Sequence, residues 1–73
     1  MNKFAIEIVK GNNSRVISVF DTKEQGLVVG ESYSKALADN GGVVVLFSTD
    51  FDEDNQPTSN AKRIFKVWDV PTN

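Results

Sequence analysis

The sequence predicts an α+β domain of two layers: one four-stranded, mostly antiparallel sheet with a single helix on one face, in the order ββαββ. Three observations carry this. One stretch alone, Asp21 to Gly42, has a helical period. Extended, apolar-rich runs stand on both sides of it, two before and two after. Seventy-three residues also make a single small core, because a chain this short buries only about 60% of its unfolded surface. Residues 1–70 form the domain on this reading, and 71–73 a C-terminal tail.

The first strand is Lys3 to Lys10, where Phe4, Ile6 and Ile8 alternate with Lys3, Ala5 and Glu7, the pattern of a strand with one face buried. Gly11-Asn12-Asn13-Ser14 is turn chemistry. Arg15 to Phe20 is a second strand, so the two make a hairpin. Strict alternation puts Ile17 and Val19 on one face, and Val16, Ser18 and Phe20 on the other.

The helix opens on two overlapping capping pairs, Asp21 with Glu24 and Thr22 with Gln25. Thr22 as N-cap answered by Gln25 fits best, because Asp21 then follows directly from the strand. Asp39-Asn40-Gly41-Gly42 supplies the stop, with residues that tolerate a left-handed backbone. At about 100° per residue, Gly26, Leu27, Val29, Gly30, Tyr33, Ala36 and Leu37 share one side, and Val28 is stranded among polar residues. Glu31 and Lys35 stand four apart, in the order that favours an ion pair. Gly26 and Gly30 lie on the apolar side, each costing about 1 kcal/mol against alanine. Close packing of the helix backbone on the sheet justifies that cost, with a groove for a partner helix as the alternative. The membrane reading of G-x-x-x-G fails on Glu24, Glu31, Lys35 and Asp39.

Val43 to Thr49 is apolar on both faces, as in a strand central to a sheet or covered on both sides. Asp50 to Ala61 is a polar loop. Arg63 to Val70 resumes the alternation, with Phe65 and Val67 on one face and Ile64, Lys66 and Trp68 on the other. Strand order stays open between two layouts. If the outer strands pair in parallel at the centre, the layout resembles a β-grasp, similar to the small immunoglobulin-binding domains of streptococcal type in element order and helix length. The apolar third strand equally suits a sheet in which that strand is central. A strand pair, then Phe-Asp-Thr-Lys-Glu opening a helix, then a Gly-Gly-led strand, is similar to many short bacterial and phage proteins. That likeness implies an accessory protein of a bacterium or mobile element.

Composition excludes several functions. With no cysteine and no histidine, there is no disulfide, no thiolate metal site, and no ordinary base for a Ser or Thr nucleophile. Neither an enzyme nor a cofactor is expected. The N-terminus reads as a strand without the apolar core of a signal peptide, and no segment reaches membrane-spanning length. The expected location is cytoplasmic. A net charge of −2 argues against sequence-independent binding to a phosphate backbone. Asp50, Asp52 and Asp54 resemble the start of a calcium loop, but Asn55 stands where glycine is needed and Ala61 where the bidentate glutamate belongs. No metal is expected there; the loop reads as a solvated connection held open by like charges.

Three function classes remain. The first is a non-enzymatic protein-interaction module. If the helix covers Phe65 and Val67, the other sheet face exposes Ile64, Lys66 and Trp68, with Phe51 nearby, and an exposed apolar patch marks a partner surface. A second copy is the simplest partner, giving a homodimer; the bland alternative is that the long loop or the tail folds back over the patch. The second class is nucleic-acid-linked. It is either a weak single-strand binder through Lys62, Arg63, Lys66 and Trp68, or an acidic mimic using Asp50, Asp52, Glu53 and Asp54. An enzyme using carboxylate pairs comes third. No small-molecule substrate and no membrane partner are expected.

Overall fold

A computed structural model describes residues 1–37 and 41–70; the expected tail, 71–73, and the Asp39-Asn40 part of the helix stop lie outside them. The elements are β1 (Asn2–Lys10), β2 (Asn13–Phe20), α1 (Lys23–Ala36), β3 (Val43–Asp50) and β4 (Arg63–Asp69). They form one antiparallel sheet in the order β2-β1-β3-β4, with α1 on one face. The β-grasp layout is therefore not adopted, because β1 pairs antiparallel with β3 and never with β4. Both middle strands are strongly apolar, and the apolar run from Val44 to Phe47 is buried. Two central strands of this kind bury more side chains than a layout with β3 at an edge.

The β1–β2 connection is tighter than the four-residue turn expected. Lys10 pairs with Asn13, leaving Gly11 and Asn12 as the loop. Gly11 has φ +59°, the positive φ that a two-residue hairpin turn requires at its first position. At the helix start, Thr22 Oγ1 accepts from the Gln25 amide and Gln25 Oε1 accepts from the Thr22 amide, both at 3.2 Å. That is the reciprocal capping box read from the sequence. The helix ends earlier than expected, at Ala36 with Leu37 as its C-cap. Gly41 and Gly42, with φ of +73° and +108°, therefore shape the entry into β3 rather than the last helical turn.

Gly26 and Gly30 are the buried residues of α1. A Cβ on Gly26 would stand 2.5 Å from Leu46 Cδ1, and one on Gly30 would collide with the Trp68 ring. The helix thus lies with its backbone directly on Leu46 and Trp68. Leu27, Val29 and Leu37 pack beside them. Tyr33 and Ala36, expected on the buried side, are exposed, and Val28 is exposed as its stranded position implied.

Each edge strand carries one extra residue. The register of β2 on β1 jumps between Ile6 and Glu7, leaving Ile17 without a partner; that of β4 on β3 jumps between Leu46 and Phe47, leaving Phe65 without one. Both extra side chains pack against the helix-side core of Ile6, Val44, Leu46, Trp68 and Val70. A bulge of one residue shifts everything beyond it to the opposite face. This corrects two sequence expectations. Ile17 and Val19 do not share a face, since Val19 belongs to the cluster on the far side of the sheet. Phe65 and Trp68 lie together under the helix, while Val67 is on the far side with Ile64.

Candidate interaction surface

The helix leaves the second sheet face without a covering layer. Beyond a short end row of Lys3 and Thr49, the pairing registers arrange that face in three rows. Val19, Ala5, Phe47 and Ile64 make the first. Val16, Glu7, Val45 and Val67 make the second. Ser14, Val9, Val43 and Asp69 make the third. Ala5, Val45, Phe47 and Phe51 form the buried cluster of this side, flanked by Val9, Val19 and Val43. Ile64 is 60% exposed, Val67 48% and Val16 40%. The shortest extent of the molecule, 19 Å, matches one sheet plus one helix at about 10 Å per layer.

Part of this face is strapped by the loop between β3 and β4. Thr49 Oγ1 donates to the Ala61 carbonyl at 2.6 Å. Lys62 Nζ stands 4.7 Å from the centre of the Phe47 ring and 3.4 Å from both carboxylate oxygens of Glu7. The one charged residue in the middle row is therefore neutralised across the sheet. The loop folding back was one of the two coverings foreseen, and it accounts for Phe47 and Phe51 but not for Ile64, Val67 and Val16.

The four residues expected at the partner surface separate. Ile64 lies on the open face and is exposed, as expected. Trp68 does not: it is 8% exposed beneath the helix, and its Nε1 donates to Glu31 Oε2 at 2.7 Å. Lys66 is level with Leu46 on the helix side, its ammonium 5.0 Å from the Trp68 ring centre. Phe51 is 2% exposed and serves as core. The bulge at Phe65 is the reason for the first two corrections. Glu31, expected to pair with Lys35, gives its carboxylate to the indole instead. Val67 and Val16 were missed as exposed face residues, because alternation without a bulge assigns Val67 to the helix.

The acidic loop is ordered by its own hydrogen bonds rather than held open by repulsion. Asp52 Oδ1 accepts from the Asp54 and Gln56 amides at 2.9 and 3.0 Å, and Asn55 takes φ +58° to close the turn. Phe51 and Pro57 form a bridge across its base. Asp50, Asp52, Glu53 and Asp54 are all exposed, but the Asp52 carboxylate is occupied by the turn. No group of three or more His, Cys, Asp or Glu among the described residues is placed to hold a metal ion. No helix among them is long and apolar enough to cross a membrane.

Comparison with family models, with curated proteins and with solved structures finds no match to this chain.

Proposed function

We propose that the protein is a non-enzymatic interaction module that acts through the open sheet face, and that a second copy of the chain is its first partner. The observation that supports this is the set of exposed apolar side chains Ile64, Val67 and Val16, on a face with no covering layer. Isolated surface hydrophobes need no explanation, but Ile64 and Val67 are neighbours on β4, and such a patch marks an interaction surface. Val16 stands apart on the other edge strand, across the buried Val45 and the Glu7–Lys62 pair. Fully burying an isoleucine or valine contributes about 1.5–3 kcal/mol, so Ile64 has more than half of that still to gain.

Two features favour a face-to-face contact over strand addition. Both edge strands carry a bulge, and bulges disturb the ladder that a further strand would extend. Glu7, at the centre of the face, is matched by Lys62, and the other charges, Lys3 and Asp69, lie in its end rows. Two copies therefore meet around a two-fold axis with no unpaired charge at the centre. The molecular extents of 39 and 26 Å bound a face of the same order as the roughly 800 Å² per partner of a standard interface. The source expectation, an accessory protein of a bacterium or mobile element, belongs to the same proposal.

Sedimentation velocity on the wild type and on Val67→Lys tests it, with circular dichroism as the check on folding. The expected result is a wild-type dimer and a folded, monomeric variant. A wild type that stays monomeric at every concentration, or a Val67→Lys variant that stays dimeric, would falsify the assignment of this face.

A further inference from the structure

The opposite face of the sheet holds a second feature, at the end that the helix leaves bare. Phe4 is level with Phe20 on one side and Ser48 on the other, and Ser48 is level with Arg63. Asn2 and Asp50 form the next row out. Over this end opens a hollow of about 430 Å³ lined by Asn2, Phe4, Ser48, Asp50, Arg63 and Phe65 among others, within the size range of small-ligand sites.

Its apolar wall is the Phe4–Phe65 pair, with ring centres 5.4 Å apart and planes tilted by 54°. Two cations converge on the same ring. Arg63 Cζ is 5.1 Å and Lys23 Nζ 5.7 Å from the Phe65 centre. Neither has a carboxylate partner within ion-pair distance among the described residues. The ammonium of Lys62, which also borders the hollow, is committed to Glu7 on the other face and is not counted. In a chain of net charge −2, this is a local surplus of positive charge beside an aromatic pair and a cavity. Asp50 sits one row farther from the helix than Arg63, so a bound anion is directed to the helix side.

We propose that this hollow binds a nucleotide unit. The planar base lies against Phe65 and Phe4. The phosphate takes Arg63 from the wall of the hollow and Lys23 from outside its lining, beside the Phe65 ring. The base edge meets Asn2 and Ser48, which both donate and accept hydrogen bonds. Arginine and aromatic rings are the groups that recognise phosphate and base in single strands. A bare anion would leave the two rings unused. The chemistry is the same for a free mononucleotide and for one unit of a single strand. It involves the face opposite the proposed dimer surface, so the two readings stand or fall separately.

The test is an amide NMR titration of the full chain with AMP, set against inorganic phosphate, adenosine and a short oligo(dA). AMP is expected to give saturable shifts centred on Phe4, Ser48, Arg63 and Phe65, and to bind more tightly than phosphate or adenosine. Lys23→Glu and Arg63→Glu are each expected to weaken AMP by at least about tenfold. An acidic residue in the first helical turn is favoured by the helix dipole, so Lys23→Glu retains the fold even if Arg63→Glu does not. If the oligonucleotide binds more tightly than AMP, and loses that advantage as salt rises, the unit belongs to a strand. If the two bind alike, the ligand is the free nucleotide. The absence of saturable shifts overturns the proposal. So do phosphate or adenosine binding as well as AMP, or full affinity in a folded Lys23→Glu variant.

Discussion

Gly30 and Trp68 are fitted to one another: the bare helix backbone rests on the indole ring, and the indole N–H reaches past it to Glu31. A methyl group at Gly30 meets a rigid ring, whereas one at Gly26 meets a terminal methyl of the buried Leu46, which has side-chain torsions to yield by. Alanine gains about 1 kcal/mol of helix propensity at either site, and overpacking costs about 1–3 kcal/mol. Gly26→Ala should therefore cost about 0–1 kcal/mol, and Gly30→Ala about 1–2 kcal/mol, in urea denaturation. A Gly30→Ala variant as stable as the wild type would remove the close-packing account. Trp68→Phe keeps most of the ring but loses the bond to Glu31. Since Glu31 is exposed and can return to water, the expected cost is about 1 kcal/mol for the hydrogen bond, plus what the smaller ring leaves unfilled.

At the scale of the element, helix and strands differ in how much of them is local. The capping box of α1 needs only Thr22 and Gln25, and Thr22→Ala should lower stability by about 1 kcal/mol, read as a shift in urea midpoint with an unchanged slope. The extent of each strand was legible to within two residues, because alternation and turn chemistry are local. Which face each side chain takes was legible only as far as the bulges. Val16 to Val19 and Ile64 to Trp68 read as clean alternation, yet Ile17 and Phe65 are extra residues relative to β1 and β3. No residue type marks them: both are apolar residues within apolar strands. The signal lies in the partner strand, and the change moves Trp68 under the helix and Val67 out of it. That one residue in β4 decided most of the candidate site.

At the scale of the molecule, a two-layer sheet of this size covers one face and must leave the other to solvent, to a loop or to a partner. Here the loop covers Phe47 and Phe51, and Ile64, Val67 and Val16 stay exposed. If a second copy covers them, folding and association are linked by mass action. The melting temperature of the wild type should then rise with protein concentration, and that of Val67→Lys should not. A wild-type melting temperature independent of concentration would argue for a monomer with an open face. The hollow at the bare end of the helix is also a property of the whole molecule. Lys23, Arg63, Phe4 and Phe65 come from three separate elements, and only Arg63 was singled out in the sequence as a candidate contact.

The sequence by itself determined the α+β class, the element order, the helix start at Thr22, and the close approach at Gly26 and Gly30. Each depends on residues a few positions apart. The tertiary structure alone decided that β1 pairs with β3, that Ile17 and Phe65 bulge towards the helix, and that Trp68 is core while Val67 is surface. Pairing partners are chosen by the total apolar area buried across the sheet, and register by the neighbouring strand. A slip of one residue changes no local preference and exchanges the two faces.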